Sequence, residues 1–231
     1  MIQQPETNQL DETLSHFAVG LGFGAVLGFL LIVLARLPIV SSFSSGTFSQ
    51  WLAVDEQTAW HIVRASGTVA YVLLTWSTIW GLLLSTKIIK EWLPAALSLG
   101  MHKIVSWLAI GLTGLHAVAL LFDNFYSYTV ADLLIPFTGP YAPGWVGLGV
   151  ISLYIMVLTS LSFSWRKRIG QTWWRRLHAL NFLAYGGATI HGMMAGTDST
   201  NLGMQGLYWG SGLGVLFLTN YRLLVAVRGN R

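Results

Sequence analysis

The sequence predicts an all-α integral membrane protein, built as a bundle of six transmembrane helices. Of its 231 residues, 54% are hydrophobic and only 10% are charged, and the mean hydropathy of +0.59 lies outside the range of soluble globular domains. Six apolar runs are each long enough to cross a hydrocarbon core of about 30 Å, which takes roughly 20 helical residues. The charged residues gather between these runs.

The apolar runs define one membrane domain. We predict a polar N-terminal segment at 1–16, a membrane domain at 17–227 and a short tail at 228–231. No positively charged segment or cleavage site precedes the first run, so we expect it to be retained rather than removed as a signal peptide. The first and last runs carry glycines four residues apart, which is typical of close helix packing. The six predicted spans are 17–40, 61–84, 99–122, 144–163, 174–194 and 203–227.

The distribution of charge predicts the orientation in the membrane. Cations cluster after spans two and four and at the C-terminus, whereas the loops after spans one, three and five carry acids. By the positive-inside rule we expect a multi-pass protein of the cytoplasmic membrane with both termini in the cytoplasm. Arg36, near the outer end of span one, is expected to snorkel. We interpret the net charge of +4 as a signal of orientation and not of nucleic-acid binding.

Four histidines within apolar spans are the candidate functional residues. His102 and His116 are fourteen residues apart in span three, and His178 and His191 are thirteen apart in span five. Fourteen helical residues advance about 21 Å and return to within about 40° of the starting direction. Spans three and five run in the same direction. We therefore predict that His102 meets His178 near the cytoplasmic side and that His116 meets His191 near the outer side.

Each predicted pair offers two imidazoles to one metal ion, and imidazole suits iron without any thiolate. The chain has no cysteine, which excludes covalently attached c-type haem, iron–sulfur clusters and thiolate zinc sites. We predict two stacked haems with these histidines as axial iron ligands. A single histidine in a membrane span is often a hydrogen-bond or proton-relay residue, so the prediction depends on the four histidines forming two pairs.

The spacing of the second pair fits a straight helix less well. Thirteen residues leave a phase error of about 140°, so span five must deviate from an ideal helix if both histidines face the same way. Gly186 and Gly187 lie between the two histidines, and we expect a kink or a tightened turn there.

Arg64 is a further cofactor-binding candidate. It lies near the beginning of span two, where a charged side chain needs to snorkel or to pair with an anion. We expect it at the level of His116 and His191, where a haem propionate would supply the negative charge.

Other cations and histidines are less informative. Lys103, Arg175 and Arg176 could bind the propionates of the second haem, but a cytoplasmic topology signal explains them equally well. His16 lies in the polar N-terminus and His61 lies at a membrane boundary. We interpret both of these histidines as ordinary polar residues.

Several motifs accompany the histidines: RASGTVAYVLL (64–74), DLLIPF (132–137), the dipeptide TS (159–160) and WWRRLHALNFLAY (173–185). With them the chain resembles, over about residues 60–195, the ferric reductase-like transmembrane domain family. That family includes the haem cores of NADPH oxidases and ferric reductases and the haem-binding subunit of bacterial methionine sulfoxide reductase. The thirteen-residue histidine spacing is also the family's own. The resemblance implies six helices, two b-type haems and electron transfer across the membrane.

The sequence differs from the oxidases and ferric reductases of that family in one respect. Those proteins continue into flavin- and NADPH-binding domains, whereas this sequence has no G-x-G-x-x-G between a strand and a helix. We therefore expect an electron-transfer subunit that takes electrons from a cytoplasmic flavin reductase or a membrane quinol and passes them to an external acceptor protein or small molecule. We predict no catalytic residue, because two histidines leave no open position on an iron.

Two alternatives remain open at this stage. The same fold could be the core of a ferric or oxygen reductase that recruits a separate flavin reductase. In a different class, the chain could be a haem-free membrane assembly or proton-relay protein, which would be colourless when purified.

Overall fold

The computed structural model describes residues 56–86, 88, 93–123 and 125–229, and every regular element in these ranges is a helix. The predicted N-terminal segment 1–16, the predicted span 17–40 and the last two residues of the predicted tail lie outside the described residues. The α-helices are α1 (Glu56–Thr86), α2 (Ala95–Ala119), α3 (Val130–Leu134), α4 (Pro143–Ile169), α5 (Gln171–His178), α6 (Asn181–Ala195) and α7 (Leu202–Gly229), and a 3₁₀ turn (Leu120–Phe122) extends α2.

Among the described residues, three segments are long and apolar enough to cross a membrane: Ala59–Thr86, Ala95–Phe122 and Pro143–Ile169. They coincide with the predicted spans 61–84, 99–122 and 144–163, so the prediction of an all-helical protein with membrane-spanning helices is confirmed at this level. The predicted span 203–227 is covered by the single helix α7. The predicted span 174–194 is divided between α5 and α6.

The core of the bundle lies where α1, α2, α4, α6 and α7 meet. Ala109 of α2 and Ala184 of α6 are both 0% exposed, and their small side chains allow the helices to approach closely. Large apolar side chains cover the outside instead, as at Trp76 (54% exposed) and Phe217 (69% exposed). Exposed apolar side chains of this kind are favourable in contact with lipid and unfavourable in contact with water. The buried core residues are Tyr71, Leu74, Leu82, Ala109, Ile110, Met156, Ala184, Tyr185, Tyr208 and Val215.

The break in the fifth predicted span lies at Ala179 and Leu180, between α5 and α6. The backbone there makes i to i−3 hydrogen bonds, from Leu180 to Leu177 (3.0 Å) and from Phe182 to Ala179 (3.1 Å). Each 3₁₀ residue turns by about 120°, against about 100° in an α-helix. The tightened turn therefore reduces the phase error between the two histidines of this span.

The sequence predicts a kink or a tightened turn at Gly186 and Gly187, but the tightened turn lies at Ala179 and Leu180, and α6 continues as α-helix through both glycines. Gly187 serves close packing instead. A Cβ at this position would lie 2.4 Å from Oγ of Ser152 on α4, a distance that no real contact allows. The glycine lets α6 approach α4 closely.

The short helix α3 is fixed by a capping box in the connection between α2 and α4. Thr129 Oγ1 accepts from the Asp132 amide (3.3 Å), and the Asp132 carboxylate accepts from the Thr129 amide (2.9 Å). Hydrogen bonds from the Thr129 side chain and backbone hold the pKa of Asp132 below its ordinary value. The reciprocal bonds satisfy amides that a five-residue helix would otherwise leave unpaired.

The capping box predicts a pH dependence of this connection. A carboxylate whose pKa is lowered on folding stabilises the folded form above its unfolded pKa, about 3.9 for aspartate, and this contribution disappears as the pH falls through the folded value. We expect Asp132→Asn to accelerate hydrogen exchange in residues 125–142 at pH 6, and this effect to shrink as the pH falls through the lowered folded pKa of Asp132, where the wild-type carboxyl becomes protonated too. Exchange measured by mass spectrometry over a series of pH values and corrected for intrinsic rates would show this. An effect that does not shrink with falling pH would contradict it.

Candidate functional site

The four membrane histidines form two pairs in the structure. The ring centroids of His102 and His178 are 6.1 Å apart with their planes at 77°, and those of His116 and His191 are 6.1 Å apart at 76°. His102 of α2 meets His178 of α5, and His116 of α2 meets His191 of α6. The α2 helix and the α5–α6 segment therefore run in the same direction, and the structure brings together the pairs that the sequence predicts.

The distance within each pair matches the space that one metal ion needs. An imidazole nitrogen binds a metal at about 2.0–2.1 Å and lies about 1.1 Å from its ring centre, so two rings on opposite sides of one ion have centres about 6.3 Å apart. The observed 6.1 Å agrees to within a few tenths of an ångström. Aromatic rings in direct contact have centroids about 4.5–7 Å apart, as Tyr71 and Tyr185 do at 6.0 Å, so the distance fits an ion between the rings and also fits a direct ring contact.

Hydrogen bonds fix which nitrogen of His116 and His191 is available. His116 Nδ1 donates to the Val63 carbonyl (2.8 Å), and His191 Nδ1 donates to the Trp145 carbonyl (3.0 Å). Because a carbonyl oxygen only accepts, the proton lies on Nδ1 and the lone pair on Nε2. A backbone carbonyl behind the distal nitrogen is the usual support of a metal-binding histidine.

The other two rings are supported by side chains. His102 Nδ1 lies 3.4 Å from Ser77 Oγ, and the Asn181 side-chain amide lies 3.3 Å from His178 Nδ1 and 2.8 Å from Thr159 Oγ1. In the structure the Thr159 hydroxyl donates to Asn181 Oδ1, and Asn181 Nδ2 faces His178 Nδ1. A 180° turn of the amide would exchange these roles: its oxygen would accept from His178 Nδ1, and its nitrogen would donate to Thr159, whose hydroxyl also donates to the Ile155 carbonyl (2.8 Å).

All four rings thus use Nδ1 for support. In the part of the chain that the structure describes, no hydrogen bond involves Nε2 of His102, His116, His178 or His191. The nitrogens that remain for a ligand are the four Nε2 atoms.

Three of the rings lie against glycines of a neighbouring helix. A Cβ on Gly67 would lie 2.7 Å from His116, one on Gly81 would lie 3.2 Å from His102, and one on Gly149 would lie 3.0 Å from His191. Each glycine lies four residues, or about one helical turn, after the residue whose oxygen hydrogen-bonds to the ring. Because glycine has no side chain, the ring can reach that oxygen. The supporting residues are Val63, Ser77 and Trp145.

Sequence reasoning missed these glycines, although a signal was present. Gly67 and Gly81 are fourteen residues apart, as are His102 and His116. Gly67 faces His116 and Gly81 faces His102, and the residue numbers in each facing pair add to 183. A constant sum of this kind is expected for two antiparallel helices. Matching spacings of glycine and histidine on consecutive spans therefore predict this type of contact.

Arg64 forms an ion pair with Asp198, which lies in the turn between α6 and α7. Two guanidinium nitrogens, Nε and Nη2, donate to the two carboxylate oxygens, and the guanidinium lies 3.9 Å above the Trp60 ring. A two-point pair of this kind fixes both side chains more firmly than a single contact does. The anion that Arg64 needs is thus supplied by the protein, a partner that the sequence did not reveal.

A cavity of about 710 Å³ contains one of the pairs. Its wall includes His116, His191, Arg64 and Tyr128, among mostly apolar neighbours, and its volume is typical of a ligand site. Burial raises the pKa of Tyr128 to about 12, so this phenol presents a neutral hydroxyl. The cavity brings the predicted Arg64 to the same site as the His116–His191 pair.

The His102–His178 pair has an aromatic wall. The Trp174 indole stacks on His178 with an interplanar angle of 21°, and Phe163 meets the indole at 5.7 Å. Trp174 Nε1 is buried and has no hydrogen-bond partner among the described residues. Lys103 lies 4.7 Å above the Phe163 ring.

The remaining described residues that the sequence singled out lie at the surface. Arg175 and Arg176 are exposed on α5, with Arg176 4.9 Å above the Trp173 ring. His61 is exposed and meets the edge of Trp60. His16 lies outside the described residues.

Residues 58–198 match the sequence model of a family described as "Domain of unknown function (DUF8596)". The chain belongs to this family. The DUF8596 segment includes both histidine pairs, the three supporting glycines and the Arg64–Asp198 ion pair. No curated protein and no solved structure matches the chain. Within the ranges that the structure describes, no group of three or more His, Cys, Asp or Glu side chains is arranged to hold a metal ion.

The glycine contacts predict a difference between two alanine substitutions. Gly67→Ala places a methyl group 2.7 Å from His116 Nδ1, so the ring must move and weaken its bond to Val63. We expect a loss of about 1–3 kcal/mol, the usual cost of overpacking. Gly114→Ala is the matched control, because a Cβ there has open space and alanine favours helix by up to about 1 kcal/mol. Thermal unfolding in one detergent would compare them, and equal midpoints would show that the ring is not confined by Gly67.

Proposed function

We propose that this protein is a di-haem b-type membrane cytochrome with six transmembrane helices, resembling the ferric reductase-like transmembrane domain. It would carry electrons across the cytoplasmic membrane from a cytoplasmic flavoprotein or a quinol to an external acceptor. His102 and His178 would hold one haem iron, and His116 and His191 the other. The observation that carries the proposal is the pairing of the rings at 6.1 Å, with no hydrogen bond to any of the four Nε2 atoms from the described residues.

The residues present fit a haem at each pair. A haem iron takes two protein ligands, so a site with two imidazoles is complete without a third histidine or carboxylate. The glycines under three of the rings allow the helices to support imidazoles at close range. The buried and unpaired Trp174 Nε1 offers a donor beside one pair, and the cavity of about 710 Å³ offers room beside the other.

When bound, a bis-histidine haem supplies a one-electron Fe(III)/Fe(II) couple with no open iron position. The chain's own residues orient the ligands and exclude water. The carbonyls of Val63 and Trp145 fix the tautomers of their histidines and raise their basicity as ligands. Between the two pairs, which are about 21 Å apart along α2, the fully buried Ala109 and Ala184 form part of a dry core.

Arg64 is compatible with a propionate as well as with Asp198. A guanidinium has five N–H donors, and Asp198 accepts from Nε and Nη2 only. Arg64 borders the cavity that contains His116 and His191. In this proposal Arg64 binds a propionate of the haem at that pair, while Asp198 fixes its position.

The charges support the proposed orientation. The carboxylates of Asp123, Asp132 and Asp198 border the cavity of the His116–His191 pair. The cations at the end of α4 and on α5 lie at the other end, near His178. By the positive-inside rule the His102–His178 pair faces the cytoplasm.

Haem content of variants tests the proposal. We expect His116→Ala with His191→Ala to halve the haem bound per chain, His102→Ala with His178→Ala to remove the other half, and the quadruple variant to bind none. Pyridine haemochrome assays on detergent-purified protein would measure this. His61→Ala is the control, because this histidine is exposed and lies in neither pair.

Redox titration distinguishes the two centres. The wild type should show two b-type transitions, and each double variant should retain one of them. A colourless wild-type protein, or a quadruple variant with full haem content, would refute the assignment.

A further inference from the structure

A basic face lies at the end of the bundle that carries the His102–His178 pair. We define the basic face by five cations in eleven consecutive residues, at the end of α4 and on α5. Four of the five are exposed and the fifth, Arg166, is half-buried. No carboxylate of the described residues pairs with them, since the described ion pair joins Arg64 to Asp198. The basic face consists of Arg166, Lys167, Arg168, Arg175 and Arg176.

A continuous line of contacts joins the basic face to the histidine pair. The Arg166 guanidinium lies 3.8 Å above the Phe163 ring, and that ring lies 5.7 Å from the Trp174 indole. The indole stacks on His178 at 5.2 Å. A molecule bound on the basic face would therefore lie within a few side chains of the His102–His178 pair.

We propose that the basic face is the docking surface for a soluble electron-donor protein with an acidic surface, an inference that rests on the proposed function. A dense patch of one sign steers a partner of the opposite sign and raises its association rate by about 10- to 1,000-fold. The aromatic line through Phe163 and Trp174 gives the docked donor its contact with the histidine pair. With a haem held by His102 and His178, the docked donor would be oxidised by one electron and the ferric iron would be reduced to ferrous.

The same cations could instead bind anionic lipid headgroups. The aromatic line favours the protein donor, because headgroups need no contact with the His102–His178 pair. Electrons that enter at this pair must come from a carrier that docks beside it, which is where the five cations are concentrated.

Charge reversal on the basic face tests the proposal. The chain is placed in nanodiscs, and reduction of its haem is followed by stopped flow with reduced flavodoxin, a small acidic flavoprotein. We expect the second-order rate to fall at least about tenfold when the salt rises from about 20 to about 300 mM. We expect a similar loss at low salt in Arg175→Glu with Arg176→Glu. The matched control, Arg175→Lys with Arg176→Lys, keeps the charge and should keep the rate within about twofold.

Duroquinol, an uncharged donor, separates docking from electron transfer. Its rate should be the same in the wild type and both double variants, because nothing on the basic face attracts it. A flavodoxin rate that is independent of salt and unchanged by charge reversal would overturn the proposal. So would a rate that changes only when anionic lipid in the nanodisc is replaced by phosphatidylcholine, since the cations would then bind headgroups.

Binding measurements make this test independent of the haem. Biolayer interferometry of oxidised flavodoxin on the nanodiscs should show weaker binding to the charge-reversed variant than to the lysine variant. If the protein contains no haem and this difference is present, the proposed function fails and the docking surface stands. If the haem is reduced by duroquinol and the difference is absent, the docking surface fails and the proposed function stands.

Discussion

One kind of contact determines most of this structure. An imidazole packs against a glycine of a neighbouring helix and hydrogen-bonds to the residue one turn before that glycine. His116 lies against Gly67 and donates to Val63, and His191 lies against Gly149 and donates to Trp145. Any other residue at these glycines would cover the carbonyl and push the ring away. Since an unpaired polar group in a membrane costs several kcal/mol, the helix that carries the glycine must stay in this position. The contact thus sets the distance between helices and the depth of the rings together.

The register of α1 and α2 follows from having two such contacts on one helix pair. Gly67 and Gly81 face His116 and His102, and a shift of either helix by one residue would rotate the glycines away by about 100°. The small residues between them, such as Ala109 at 0% exposure, keep the helices close over the intervening turns. The histidine spacing and the glycine spacing are therefore one constraint expressed on two helices.

The sequence predicted the helices well because hydropathy is a local property. It also predicted which histidines pair, since a spacing near four helical turns and a common direction are enough. It placed the kink at Gly186 and Gly187 wrongly, because local propensity does not distinguish a flexible glycine from one packed against Ser152. The partner of Arg64 was missed for a related reason. Asp198 is 134 residues away, and only the folded turn brings it there.

His178 shows why the two pairs are built differently. It is the last residue of α5, and the tightened turn at Ala179 and Leu180 follows it directly. A ring at a helix break cannot depend on the regular geometry that places a glycine under the other three rings. Its support comes from side chains instead: Asn181 contacts Nδ1, and Trp174 stacks on the ring face. The thirteen-residue spacing and the helix break belong together, because the tightened turn reduces the phase difference between His178 and His191. Trp174 lies one turn before His178 on the same helix, so α5 itself joins this ring to the aromatic line that leads to the basic face.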